Sequence, residues 1–311
     1  MGVHPPAVWI GFSVLVVGLL ILDLGVLNRK SHVLSFREAL SWSAGLVALA
    51  LLFGVFLWAR EGTRTALEYY TGYVIELSLS VDNLFVFLLI FQYFAVPAEL
   101  QPRILKWGIL GALVMRAIMI ALGALLLQQF SWIIYLFGGI LVLTGIRMFR
   151  GSGDRIEPER NPLVRLARRF IPMVDAYDGQ KFLTRGIRGQ WLATPLVIVL
   201  LVVEWSDLVF AIDSIPAIFA VTRDPFIVYS SNVFAILGLR ALFFVLAGMM
   251  DRFEYLKPGV AAILVFVGLK MVLNGLFHVP IGISLGVIVG ILGGSVVLSM
   301  RKTRAAAREN P

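Results

Sequence analysis

Residues 204–214 read Glu204-Trp205-Ser206-Asp207-Leu208-Val209-Phe210-Ala211-Ile212-Asp213-Ser214, and residues 76–83 read Glu76-Leu77-Ser78-Leu79-Ser80-Val81-Asp82-Asn83. The two share one grammar: an acid, a leucine, four further residues, an aspartate and a small polar residue. Each lies inside an apolar run, 193–221 and 67–95, far longer than a soluble strand or loop. A carboxylate at the centre of a lipid-embedded helix costs about 2.5–3.5 kcal/mol, and Leu or Ala would insert more easily. Acids placed there by sequence therefore point to function.

The rest of the chain agrees with a membrane setting. Of 311 residues, 59% are hydrophobic and only 15% charged, with mean hydropathy +0.89. A soluble domain carries about a quarter charged residues. Runs of 18 or more apolar residues are what the roughly 30 Å hydrocarbon layer requires. The pattern predicts an all-α polytopic membrane protein of about nine spans, near 7–27, 40–58, 67–95, 104–127, 131–149, 193–221, 226–248, 256–277 and 281–300. The start, Met1 to Pro6, lacks the basic segment and cleavage site of a secretory signal, so the first run is expected to remain as a span.

Composition excludes several chemistries. With no cysteine, disulfides, thiolate metal sites and iron–sulfur clusters are ruled out. The three histidines, His4, His32 and His278, fall at or beyond span ends. No phosphate-binding loop or dinucleotide turn occurs, so no permanently bound cofactor is expected. The formal charge of +8 reads as topology and not as nucleic-acid binding. Of 27 Lys and Arg, 21 fall in alternate loops, ten of them in 147–188, and only Arg60, Arg64 and Arg223 fall in the others. By the positive-inside rule the N-terminus is outside and the C-terminus cytoplasmic.

The shared grammar extends beyond the acids. Met115-Arg116-Ala117 in span 4 matches Leu239-Arg240-Ala241 in span 7, and Gly145-Ile146-Arg147 in span 5 matches Gly268-Leu269-Lys270 in span 8. Three matches in one order predict a repeat of spans 3–5 and 6–8. An odd number of spans separates them, which inverts their topology, and transporters of this design hold their sites at the repeat interface. The organisation expected is two accessory N-terminal helices in 1–60, a first repeat in 67–149, a basic cytoplasmic loop in 150–192 with a short amphipathic helix near Leu163–Phe170, a second repeat in 193–278, and a final helix with a basic tail in 279–311.

With no Cys, no His within the spans and no repeated array among the nine Met, a buried metal would need oxygen ligands, which suit hard cations such as Mn(II), Mg(II) or Ca(II). The candidate metal site comprises Glu76, Asp82, Asn83, Glu204, Asp207 and Asp213, with Ser80, Ser214, Arg116, Arg240, Asn232, Lys270 and Asn274 in support. Glu76, Ser80 and Asn83 share one helical face, as do Glu204 and Asp207. Asp82 and Asp213 each follow their partner acid by six residues and face elsewhere on an unbroken helix. A break near Asp82 and near Asp213, aided by Pro216, would bring them in and free backbone carbonyls. Pairing of the acids with Arg116, Arg240 and Lys270 is the structural alternative, and it leaves two negative charges over, matching one divalent cation or two protons. Asp23 is expected near water and Glu68 at the outer surface. Gly138, Gly139, Gly145, Gly290, Gly293 and Gly294 read as close-packing positions, and Trp9, Trp58, Trp132 and Trp191 as an interfacial belt.

The stretch Thr71–Asn83 resembles the first signature of the TerC family, and Glu204–Thr222 resembles its second. Ser231–Ala241 and His278-Val279-Pro280-Ile281 are similar to its Alx-like branch. The resemblance implies an integral protein of the bacterial inner membrane that exports Mn(II), with Glu76, Asp82, Glu204, Asp207 and Asp213 binding or relaying the ion and protons as a candidate counter-ion. Leu77 stands where that branch can carry Lys. The family's older labels of tellurium resistance and redox modulation imply a non-transporting stress scaffold docking on the basic loop, and the absence of Cys gives the redox label no thiol chemistry. A Ca(II)/H+ exchanger remains open, since Ca(II) and Mn(II) both accept oxygen ligands. Paired intramembrane acids also raise an aspartyl protease, which the duplicated polar companions disfavour.

Overall fold

The computed structural model describes residues 4–22, 35–130, 132–150, 172–174, 177–186, 190–247, 255–273 and 279–309, apart from the side chains at 81, 82, 85, 128, 256, 257 and 303–309. Asp23, His32, Asn274, His278 and the amphipathic helix expected at Leu163–Phe170 lie outside the described residues. The described residues form nine helices: α1 Pro6–Leu20, α2 Phe36–Glu61, α3 Thr63–Tyr93, α4 Gln101–Gln129, α5 Ile133–Phe149, α6 Pro195–Phe219, α7 Pro225–Ala247, α8 Leu256–Val272 and α9 Ile281–Glu309.

Local sequence sets the helix ends. Ser35 caps α2, its hydroxyl accepting from the Glu38 amide at 3.4 Å, and Ser-Phe-Arg-Glu is a capping box. Between α2 and α3 stands only Gly62, at φ 93°, a conformation that glycine adopts without a Cβ penalty. Proline opens α6 and α7 at its favoured first position, and the Asp224 carboxylate accepts from the Phe226 amide at 2.9 Å.

Among the described residues five helices are individually long and apolar enough to cross a membrane: α2, α4, α6, α7 and α9. The shorter apolar helices are α1, α5 and most of α8. Large hydrophobic side chains such as Leu52, Val114, Ile118 and Ile283 stand more than half exposed, a surface suited to lipid and not to water. Trp58, Trp132 and Trp191 are exposed as an interfacial belt requires. Trp9 instead packs edge-on against Phe226, ring centres 5.2 Å apart.

Counterpart helices pack on one another: α3 on α6, α4 on α7, and most extensively α5 on α8. The cross pairings also mirror each other, α3 on α7 as α4 on α6, and α3 on α8 as α5 on α6. Such reciprocity is what two triplets related by an approximate two-fold axis produce. One apolar core joins α1, α2, α3, α4, α6 and α7, and a second is built chiefly from α3, α4, α5, α6 and α8. The helix ends expected outside gather together: His4 contacts Asp224 at 2.9 Å and Glu61 at 3.4 Å, and Thr222 donates to Glu68 at 2.6 Å.

Three expectations are corrected. Both α3 and α6 run unbroken. Pro216 sits three residues before the last residue of α6; it removes one i→i−4 bond, and the helix runs on through it. The segment after α5 contains a two-stranded antiparallel hairpin, β1 Leu183–Arg185 and β2 Trp191–Ala193. It docks on the α3–α4 turn: Tyr177 donates to the Phe94 carbonyl at 2.9 Å, and the Arg103 guanidinium lies 5.2 Å from the Phe182 ring centre. The glycines divide. A Cβ at Gly138, Gly145 or Gly268 would strike the facing α8 or α5 backbone within 2.9 Å, whereas Gly139, Gly290, Gly293 and Gly294 have nothing within 4 Å.

Gly268→Val should therefore cost about 1–3 kcal/mol by overpacking, and Gly290→Val should stay within about 0.5 kcal/mol of wild type; thermal unfolding of the detergent-solubilised protein reads both. In the hairpin, the Thr184 hydroxyl, then Lys181, holds the Asp178 carboxyl below its ordinary value. That contribution is present at ordinary carboxylate pKa and above, and fades as pH falls through the lowered value. Thr184→Val should raise the Asp178 titration midpoint in a carboxylate-resolved NMR titration.

Candidate functional site

Asp207 lies twelve residues into α6, and Ser214 follows at i+7, nearly two turns on, so both face the same way. That face meets α4 at Arg116. The guanidinium grips Asp207 with two bonds, Nε to Oδ2 at 3.2 Å and Nη2 to Oδ1 at 2.9 Å. Its Nη1 donates to Glu76 Oε1 on α3 and reaches Ser214 Oγ and the Asn232 amide oxygen on α7, each at 3.4 Å. Five oxygens from three helices thus surround one cation carried by a fourth.

All three charges are out of water: Glu76 is 0% exposed, Arg116 1% and Asp207 2%. A planar fork matched to carboxylate geometry is what makes such burial tolerable. Two carboxylates against one guanidinium still leave an excess negative charge. Along the same face of α3, Glu76 Oε2, Ser80 Oγ and Asn83 Nδ2 are buried with no hydrogen-bond partner among the described residues, as is Asn232 Nδ2. Buried polar atoms are normally satisfied, so this cluster marks a place with unused capacity for a ligand.

Glu204 stands one turn before Asp207 and leans against α4 where that helix has no side chain: a Cβ built at Gly111 would fall on the Glu204 carboxylate. With Asp207, Gly108, Ala112 and Leu239 it lines a cavity of about 10 Å³, room for about one water. Asp213 faces away from Arg116, towards α5, where Thr144 donates to it at 3.1 Å. On an unbroken helix the six-residue spacing from Asp207 demands that separation. Lys270 donates to Ser284 of α9 at 3.0 Å and stands apart from this centre. Arg240, the α7 counterpart of Arg116, is likewise buried. The Asp82 side chain and Asn274 are outside the described residues. Among the described residues no three acids or histidines gather closely enough to hold a metal. The structure thus joins Glu76, Asp207, Ser214 and Asn232 through Arg116, sets Glu204 beside them, and places Asp213 elsewhere.

Two contributors were absent from the sequence reading. Thr144 looks like one more polar residue beside Gly145. Gly111 is legible only as half of a Gly108/Gly111 pair, with nothing to show that a carboxylate fills the gap.

Fold and site together define a multi-pass membrane protein with a charged centre shared between two helix triplets. Residues 61–307 match the integral membrane protein TerC family, and the chain belongs to that family. An uncharacterized membrane protein of Myxococcus xanthus is 53% identical over 304 residues, covering 98% of this chain and 95% of that protein. An Escherichia coli protein named "Putative membrane-bound redox modulator Alx" is 49% identical over 299 residues, covering 93% of each chain. A membrane protein of Rickettsia bellii is 42% identical over 284 residues, covering 91% of this chain and 94% of that one. No solved structure matches the chain.

Gly111→Val should drive the Glu204 carboxylate out of the α4–α6 interface and lower stability by about 1–3 kcal/mol. Glu204→Ala in the same chain should recover most of that loss in thermal unfolding, since it empties the space that valine needs.

Proposed function

We propose that the protein exports a hard divalent cation, Mn(II) foremost, across the bacterial inner membrane. The observation that carries this reading is the buried anionic centre in which Glu76 of one triplet and Asp207 of the other face a single guanidinium. Stability alone would be better served by apolar residues of similar volume, and ionisable groups at this depth in a bundle mark ion pathways. Carboxylates, the Ser80 and Ser214 hydroxyls and the Asn83 and Asn232 amides are oxygen donors of the kind a hard cation takes. The candidate ion pathway is Glu76, Asp82, Asn83, Glu204, Asp207 and Asp213, with Glu204 and Asp213 as way stations above and below the centre. Rocking of one triplet on the other would alternate access, with protons as counter-ions.

The proposed orientation has the N-terminus outside and the C-terminus in the cytoplasm. The bias of Lys and Arg between alternate loops sets its sign, and two groupings support the division of the segments into two sides. His4, Glu61, Glu68, Thr222 and Asp224, all from segments assigned outside, make contacts with one another, and Phe94, Arg103, Tyr177 and Phe182, all from segments assigned inside, do likewise. The redox role in the name of the Escherichia coli relative would have no thiol to act through here, because this chain has no cysteine.

The test is uptake of Mn(II) and of Ca(II) into vesicles of purified protein, with and without a pH gradient. Wild type should accumulate Mn(II), faster under a gradient. Asp207→Asn and Asp213→Asn should each lower uptake by about ten-fold or more, equivalent to about 1.4 kcal/mol. No uptake of either ion by wild type would exclude transport by this protein.

A further inference from the structure

We infer that Arg116 is a tethered stand-in for the transported cation: it fills the shared anionic centre when no ion is bound, and an arriving divalent ion displaces it from Asp207 towards Glu204. The inference rests on the transport reading and adds how the empty site is held and what the ion must move.

The first support is the shell itself. Five oxygens within hydrogen-bonding reach of the guanidinium, three of them from carboxylates, form the donor set that a hard divalent cation would take. A guanidinium binds the same oxygens through directed N–H bonds, so ion and side chain compete for one set of atoms.

The second support is a place for the displaced side chain. Side chains on a helix lean towards its N-terminus, which aims Arg116 at the level of Ala112 and Gly111. Five residues of helix rise about 7.5 Å, a distance the long arginine side chain covers by changing rotamers. At that level Glu204 lies against Gly111, and the small cavity lined by Ala112, Glu204 and Asp207 lies between the two positions. Phe87, Leu105, Ile109 and Val203 line the same cavity, so the guanidinium reaches its second carboxylate across a short apolar stretch.

The third support is charge. Glu76, Asp207 and Glu204 with Arg116 carry two formal negative charges in excess. A divalent ion between Glu76 and Asp207, with Arg116 moved to Glu204, brings the group to neutrality. A monovalent ion leaves it charged in a low-dielectric interior, where that is costly. The device thus selects for divalent ions and keeps the empty site closed: Arg116 fastens α4 to α3 and α6 until an ion releases it.

The experiment measures Mn(II) binding to the purified full-length protein in detergent, alongside vesicle uptake. Arg116→Gln removes the competitor and should bind Mn(II) about ten-fold tighter than wild type while transporting it about ten-fold more slowly, because nothing expels the ion. Millimolar guanidinium chloride, compared with equal sodium chloride, should weaken Mn(II) binding to Arg116→Gln and leave wild type unchanged, a response that a merely structural role would not give. Glu204→Gln should weaken Mn(II) binding about ten-fold, since the displaced side chain loses its second partner. If Arg116→Gln does not fold, Arg116→Lys replaces it: a point charge cannot span both Asp207 oxygens, and Mn(II) binding should again tighten. A folded Arg116→Gln or Arg116→Lys with unchanged or weaker Mn(II) affinity overturns the inference while leaving transport intact. Wild type that neither binds nor transports Mn(II) defeats the transport reading itself.

Discussion

A guanidinium removed from water needs an oxygen for each of its donors, and Arg116 finds them only where the two helix triplets meet. That requirement fixes a great deal. It sets the depth of α4 against α6 through the two-pronged grip on Asp207, draws Glu76 of α3 to the same point, and leaves the Asn232 amide of α7 facing inward. Removing one partner of such a pair would strand a charge at a cost of about 3–5 kcal/mol. The centre therefore acts as a register pin between triplets as well as a candidate ion site. The tight glycine contact of α5 with α8 gives the assembly its second fixed line, and the remaining interfaces are ordinary apolar packing.

Much of the architecture was legible in the sequence because it depends on periodicity. Each of the nine apolar windows corresponds to a helix among the described residues, and the matched spacings of Glu76 and Asp207, of Arg116 and Arg240, and of Gly145 and Gly268 correspond to helices that pack as counterparts. Two features resisted. The broken helices did not materialise: α3 has no proline near Asp82, and α6 continues through Pro216 to Phe219. The hairpin at 183–193 joins strands of three residues each, too short to show alternation, and it depends on Tyr177 and Phe182 docking on residues far away in sequence.

At the site, faces were legible and distances were not. The i, i+4, i+7 face of Glu76, Ser80 and Asn83 is buried along its length, and Glu204 shares a cavity with Asp207 as their spacing required. What spacing could not reveal is that Arg116 touches both repeats at once, whereas Lys270, also set in an apolar run but only half-buried, turns to a serine. Charge counting treats the three basic residues alike; only the packing of α4 on α6 and α7, with Glu76 of α3 in reach, distinguishes them. Thr144 and Gly111 stayed hidden for the same reason: their importance lies in what another helix places opposite them.

Helix α7 has a consequence for biogenesis. Almost every residue from Phe226 to Leu246 is enclosed, and α2, α3 and α4, its main partners, are all synthesised earlier. A segment with so little surface for lipid gains little by drifting alone in the bilayer after leaving the ribosome. Its stable destination is a cradle already assembled from the first half of the chain. Insertion order and final architecture are thereby linked: the most sheltered strut arrives after the walls that enclose it.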